Sequence, residues 1–499
     1  MTKNMIIIGA GIAGLSTGCY AQMNGYKSKI FEMHNRAGGV CTSWKRKEYT
    51  FDHCIHNLAG TGIQSGLRQV WDELGALIGT SVIDHDLFVR VEGSKGETVS
   101  LYTDLDRLEK HLKGVAPEDS DIIEQYIKAA RSFVNFDFFA MPLGGIKRKF
   151  GMLTHLRGVM KWSKLTLPDF ARRFSNPFLR KAFSHFQYNI DGHYVPMLVH
   201  LVFLAGLHSG DLGWPKGGSL EFSRRIEKRY LDLGGEVYYK SRVLKIIVED
   251  GRAVGVQLAD GTEHLADIII SAADGYDTIF RMLDGKFTNK LIRSYYEAFD
   301  ESQDFGLTVH MGLNRNLSTE PHAITLLLDK PLVIEGEERD SLYLELFTDE
   351  TGLASEGKSI IKVVTTGNYE YWKKKRGNLE DYRAEKNSVS ETIITHLEKR
   401  FPGIKEQVEV VDVTTPVTAE RFTNNFHGWQ PWEPRVEADK IMRKGLSKTL
   451  PGLQNFYMVG HWAGAMIGVS TVALMGRSLI RDICKRDKKK FVTSVSAAR

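Results

Sequence analysis

The chain of 499 residues exceeds what one hydrophobic core usually supports, so two domains are expected, and its 42% hydrophobic and 25% charged residues supply material for both. A net charge of +5 is too small to imply nucleic acid as a partner. The cysteines Cys19, Cys41, Cys54 and Cys484 have no metal-ligand spacing, so no metal is expected and a reducing, cytoplasmic compartment is.

The N-terminal apolar run Met5–Ile8 reads as a buried parallel strand and is too short for a secretory signal. Gly9 allows a tight turn after it, Gly11 lets backbone approach a pyrophosphate, and Gly14 lets the next helix, expected over 12–23, pack against the strand. The start of that helix offers free N–H groups and a positive dipole end to phosphates. Glu32 closes a second strand, where a carboxylate can accept hydrogen bonds from both ribose hydroxyls. Strand, glycines, helix, strand and acid in register spell an α/β fold with a Rossmann-type dinucleotide site.

The residues after Glu32 bear on which dinucleotide. Arg36 and the pair Gly38-Gly39 make a cationic loop where NAD enzymes usually return straight to a helix, and Phe51-Asp52 follows in the next strand. This pattern resembles the FAD-dependent phytoene desaturase, carotenoid isomerase and retinol saturase family, within the amine-oxidase-like flavoproteins. The resemblance returns at Trp214-Pro215-Lys216-Gly217-Gly218-Ser219, which opens a helix to about Asp232, and in three strands ending near Asp274. It returns again at Asn455–Gly460, a strand ending on glycine before a loop over 461–467 and a helix over 468–484. The resemblance implies a GR2-like FAD-binding domain. In it FAD is held by Gly9, Gly11, Ile12, Ala13, Gly14, Glu32, Met33, Arg36, Gly38, Gly39, Val40, His56, Val243, Ala272, Gly460, Ile467, Gly468 and Val469. Val243 would pair with the adenine through its backbone, and the helix start at Gly468 would face the flavin pyrimidine.

The layout is interleaved. Segments 1–80, 212–282 and 440–485 are expected to build the FAD-binding domain, segments 81–211 and 283–439 an α+β substrate domain, and 486–499 a flexible tail. The apolar stretch Val195–Leu207 contains Pro196 and His200 and falls short of the ~20 residues of a membrane-spanning helix. Segment 133–182 carries ten basic residues against two acidic ones, interleaved with Phe133, Phe136, Phe138, Phe139, Phe150, Met152, Trp162, Phe170, Phe174 and Phe178. Two readings stand: peripheral contact with an anionic bilayer, or a helical cap whose aromatics line an internal pocket. Both imply a small lipophilic substrate, and no motif for nucleic acid accompanies the segment. Oligomeric state leaves no signal in the sequence.

Flavin chemistry places a substrate carbon against N5, near residues 52–57, 414–418, 426–429 and 461–464 by family position. The catalytic candidates are His56, His461 and Trp462. His53 and His56 are three residues apart, so an extended strand would aim at most one of them into a cavity. Each histidine is either a proton-exchanging group or a hydrogen-bonded structural one. Cys41 and Cys54 are either redox groups or free buried thiols. His461-Trp462 stands where many relatives carry an acid, and Ala465–Ser470 departs from the glycine-proline-rich segment of carotenoid enzymes, which weighs against a carotenoid itself.

Three functions are therefore open. One is an FAD oxidoreductase acting on carbon–carbon double bonds of a lipophilic polyene or isoprenoid. Another is an amine oxidase of the same fold, whose aromatic cage Trp429, Trp432 and Trp462 would furnish but whose lysine the sequence does not place. The third is a non-enzymatic prenyl-lipid carrier like the Rab GDP-dissociation inhibitors, against which the glycines and Glu32 argue.

Overall fold

The computed structural model describes residues 2–134, 136–138, 140–144, 146–187, 195–299, 304–428, 445–463 and 468–494. Five strands form a parallel sheet in the order Glu236–Tyr238, Lys27–Phe31, Asn4–Ile8, Ile268–Ser271, Phe456–Met458. The inner strands Asn4–Ile8 and Ile268–Ser271 are apolar without alternation because both faces of a parallel sheet are covered. Ile8 pairs with Phe31 on one side and Ser271 on the other, so the carboxyl ends of these strands stop level and leave a crevice there.

The helix Ile12–Met23 rises from that edge, buried along nearly its whole length between the helices Gly218–Asp232 and Val469–Arg486. Small residues allow it. A Cβ on Gly14 would stand 2.0 Å from the Gly9 carbonyl oxygen, so no side chain fits between helix and turn. A strand at Glu263–Leu265, not anticipated from the sequence, completes an antiparallel meander with Val243–Glu249 and Arg252–Leu258.

The second large sheet has seven strands, in the order Val408–Thr414, Asp304–Leu313, Ser359–Gly367, Glu337–Phe347, Ala323–Ile334, Leu87–Glu92, Thr98–Tyr102. All neighbours run antiparallel except Ala323–Ile334 with Leu87–Glu92. Leu307, Leu344, Ile361 and Trp372 form its core beneath the helix Leu379–Leu397.

Segment 133–182 divides its apolar residues in a way the sequence left open. Phe133, Phe136, Trp162, Phe170 and Phe174 are buried, because its helices pack on the helix Met197–His208 and on one another. Leu153, Leu156 and Met160 are exposed instead. The side chains of Phe139, Phe150 and Met152 lie outside the described residues. Within the tail over 486–499, the described residues 486–494 make contacts with the rest of the chain. The helix continues through Arg486, Phe491 packs on Tyr20, and Val492 exchanges two backbone hydrogen bonds, 2.8 and 2.9 Å, with the Asn24 side chain.

Gly14→Ala is expected to cost about 1–3 kcal/mol despite the better helix propensity of alanine, because the overpacked methyl meets backbone. Denaturant unfolding of the variant checks this; unchanged stability would contradict the packing described.

Candidate dinucleotide and active site

A cavity of about 980 Å³ opens at the carboxyl ends of the parallel strands. Gly9, Gly11, Ile12, Ala13, Glu32, Met33, Arg36, Gly38, Gly39, Val40, His56, Val243, Ala272, Gly460, His461, Trp462, Gly468 and Val469 all line it. Gly14 does not reach the wall; it packs beneath, against the Gly9 turn. Ile467, Trp429 and Trp432 lie outside the described residues.

Two helix N-termini meet at this cavity. The helix Ile12–Met23 is N-capped by Gly11 and the helix Val469–Arg486 by Gly468, and neither cap supplies a side-chain acceptor. Their first N–H groups and positive dipole ends are thus available to an anion or an electron-rich ring. A Cβ on Gly11 would meet nothing nearer than 4.0 Å and one on Gly468 nothing within 4 Å, so a side chain at either place would stand in the cavity. This is a cradle kept clear for a ligand.

Glu32 is oriented by the turns it touches. Its Oε2 accepts from the Ala10 N–H at 2.6 Å and its Oε1 from the His34 N–H at 2.8 Å. Burial pushes the carboxyl up, and these backbone bonds pull against that. Each oxygen keeps a further lone pair for a hydroxyl donor. The Arg36 guanidinium reaches the Ser43 carbonyl at 3.4 Å and Asn35 Oδ1 at 3.3 Å, which fastens the cationic loop upon itself.

Asp52 joins two motifs that lie far apart in sequence. Its carboxylate accepts from the Ser219 N–H at 2.5 Å and from Ser219 Oγ at 2.7 Å, at the start of the helix Gly218–Asp232. Ser219 Oγ also accepts from the Ile55 N–H at 2.9 Å, and Trp214 Nε1 donates to the Ile55 carbonyl at 3.0 Å. Residues 53–57 therefore turn as an irregular loop, not a strand. Both His53 and His56 consequently line the cavity, which corrects the expectation that at most one would.

Behind this loop sit two charges that the sequence reading missed. Glu345 contacts His56 Nδ1 through Oε1, and the Lys362 ammonium lies 2.9 Å from its Oε2. Lys362 also donates to the His53 carbonyl at 3.1 Å. Burial would raise the Glu345 carboxyl, but His56 and Lys362 hold it well below the usual carboxylate range. Burial, then Lys362 and His56, pushes His53 down to about 3. Burial pushes His461 down to about 4, so that ring is neutral at neutral pH. Burial pushes the Cys41 thiol up, which keeps it protonated and suits a structural role. A signal for the missed pair existed: Glu345 is the lone acid in Ser341–Phe347 and Lys362 the lone charge in Ser359–Gly367, both otherwise apolar or hydroxyl-bearing strands. Asp274 was also missed as a site residue. It lines the cavity and accepts from the N–H groups of Asp277 at 2.8 Å and Phe426 at 3.0 Å.

Ile55, Ala59, Phe138, Val199, Phe203 and Leu212 add apolar side chains to the cavity wall. Among the described residues no group of His, Cys, Asp and Glu side chains could hold a metal ion.

Residues 7–74 match the model of the NAD(P)-binding Rossmann-like domain. The chain is 26% identical to the chloroplastic prolycopene isomerase of Arabidopsis thaliana, over 94% of this chain and 81% of that protein. It is 23% identical to the all-trans-retinol 13,14-reductase of Danio rerio, over 93% and 84%. These enzymes are homologues of the chain. The resemblance to the desaturase, carotenoid isomerase and retinol saturase family is thereby borne out. Among solved structures, an oxidoreductase from Methanosarcina mazei shares the fold with a TM-score of 0.60 at 16% identity, covering 96% of this chain and all of that one. The protein thus has an oxidoreductase fold with a Rossmann-type site for a dinucleotide.

Asp274 supplies a pH test. Burial pushes its carboxyl from the ordinary 3.8 up to about 7, against its backbone donors. A raised carboxyl favours the folded state while protonated, so its contribution is present below 3.8 and is lost as pH rises through about 7. Asp274→Asn is expected to flatten the fall of Tm over that interval relative to the parent protein. Calorimetry across the interval checks it; parallel Tm profiles would refute the assignment.

Proposed function

We propose that the protein is an FAD-dependent oxidoreductase acting on carbon–carbon double bonds of a lipophilic polyene or isoprenoid, by desaturation, saturation or isomerisation. The observation that carries this reading is one cavity whose wall combines two helix starts cleared of side chains at Gly11 and Gly468 with a set of apolar side chains. Its homology to a prolycopene isomerase and a retinol reductase supports the same substrate class. We also propose that segments 1–80, 212–282 and 440–485 hold the cofactor, and that 81–211 and 283–439 hold the substrate.

FAD, when bound, supplies a site at N5 that accepts or donates hydride. The chain supplies the rest. The turn at Gly9 and the N–H groups of Ile12 and Ala13 would take the pyrophosphate, Glu32 the ribose hydroxyls, and the Val243 backbone the adenine. The helix start at Gly468 and Val469 would take the flavin ring. Phe138, Val199 and Phe203 would hold an apolar chain and exclude water.

An amine oxidase is weaker as a reading. The Lys362 ammonium is committed to Glu345 and the His53 carbonyl, and its side chain is only 1% exposed, so it is closed off from the cavity. A flavin-free lipid carrier would have no use for a cleared cradle at Gly11.

Mass spectrometry of an extract from freshly purified protein is expected to find FAD together with a long apolar ligand. Gly11→Val is expected to lose the FAD while keeping its circular dichroism. Folded parent protein without flavin would overturn the proposal.

We further propose that the helix Ile146–Trp162 rests on an anionic membrane surface. It exposes Leu153, Leu156 and Met160 beside Arg157 and Lys161, an apolar strip with cationic flanks, and Lys164 follows just past its end. Among the described residues no helix is long and apolar enough to cross a membrane. Co-sedimentation with phosphatidylserine vesicles is expected to be salt-sensitive and to fall in Leu156→Glu/Met160→Glu; equal recovery with neutral vesicles would contradict it.

A further inference from the structure

Among the titratable side chains on the cavity wall, the one in residues 53–57 with an ion pair packed behind it is His56. Its Nδ1 meets a carboxylate that is only 7% exposed, and the second oxygen of that carboxylate is ion-paired to an ammonium that is 1% exposed. A buried acid and a buried base cancel each other's charge, so Glu345 remains an anion next to the imidazole. An ionised carboxylate only accepts hydrogen bonds, so Nδ1 must carry the hydrogen in this contact. The contact therefore selects the tautomer. Neutral His56 has its lone pair on Nε2, and cationic His56 carries N–H at both nitrogens.

The neighbouring groups do not compete for this role. His53 has the Lys362 ammonium on its own carbonyl, and its Nδ1 has no hydrogen-bond partner among the described residues. His310 is fully buried, donates through Nε2 to the Asp52 carbonyl at 3.2 Å, and lies between Trp44 and Phe51. Asp52 is occupied by Ser219. Tyr343 donates to Glu345 Oε1 at 3.4 Å, adding a second donor to the anion.

We propose that His56 is the proton-exchanging group of the reaction, acting through Nε2, and that Glu345 and Lys362 are positioning residues that fix its tautomer. This rests on the double-bond chemistry proposed above. In the desaturating direction Nε2 takes a proton from one substrate carbon. The C–H bonding pair becomes the new π bond as a hydride leaves the adjacent carbon, with a flavin as the two-electron acceptor. The imidazolium charge that forms is balanced by Glu345. Saturation is the reverse, with Nε2–H returning the proton. The arrangement has the logic of a base oriented by a buried acid, here with Lys362 stabilising that acid in turn.

The first test needs neither substrate nor variant. Nitrogen spectra of the purified protein labelled at the histidine rings are expected to show neutral His56 protonated at Nδ1 and unprotonated at Nε2. His56 found with its hydrogen on Nε2 would overturn the proposal, whatever cofactor the protein carries. The second test uses His56→Gln, which keeps a polar side chain at the wall. Expressed per bound flavin, kcat is expected to fall about 100-fold or more with KM nearly constant. Glu345→Asp is expected to retain the tautomer and most of kcat, whereas Glu345→Gln loses both. Flavin-loaded His56→Gln turning over a polyene at the parent rate would overturn the proposal and leave the flavin reading standing. Absence of flavin from the folded parent would sink the flavin reading alone, since the ring spectra still decide the tautomer.

Discussion

The pairing of Lys362 with Glu345 is the constraint on which the site depends. Taking either ion out of water costs several kcal/mol, so neither strand could bury its charge alone. Lys362 sits on Ser359–Gly367 and Glu345 on the neighbouring Glu337–Phe347, opposite each other in the antiparallel register. Once paired, each has capacity left over, and both spend it on the same short loop: Lys362 on the His53 carbonyl, Glu345 on the His56 ring. The seven-stranded sheet thereby grips residues 53–57 from one side.

A helix start holds them as well. Asp52 and Ile55 are tied to Ser219 at the start of the helix Gly218–Asp232. A loop held by both is a rigid place from which to present a side chain, and a histidine positioned to ångström tolerance is what proton transfer requires. The same clamping explains why two histidines three residues apart face one cavity. Strand alternation no longer governs a segment whose backbone groups are bonded outward to two different elements.

The cradle at Gly11 and Gly468 works by omission. Helix starts at Gly11 and Gly468 leave N–H groups without caps, which in an ordinary helix would cost stability. Here the unsatisfied donors converge on one space, where a bound phosphate or ring carbonyl would satisfy them. Glu32 keeps its place through the N–H groups of Ala10 and His34, so the turn that would approach the ligand and the acid that would bind its ribose support each other. The apolar side chains of the wall then give the cavity its second character.

Much of this was legible in the chain. Gly9, Gly11, Gly14 and Glu32 announced the dinucleotide site because their spacing is set by local geometry: a strand, a turn too tight for side chains, and a helix, all within some thirty residues. Asp52 and the Trp214–Ser219 block were recognisable as motifs, but their mutual hydrogen bonds join positions 167 residues apart and leave no local pattern. Glu345 and Lys362 showed only as lone charges in apolar strands, and the direction in which each points follows from the register of the sheet. The aromatics of segment 133–182 likewise left two readings open, a bilayer contact or a helical cap, and only helix packing decided that Phe133, Phe170 and Phe174 are buried while Leu153, Leu156 and Met160 stay outside. The sequence by itself determined the dinucleotide cradle, because short-range backbone geometry dictates it. Only the tertiary structure decided which histidine has a buried acid behind it, because burial and charge pairing belong to the space between elements and not to any one of them.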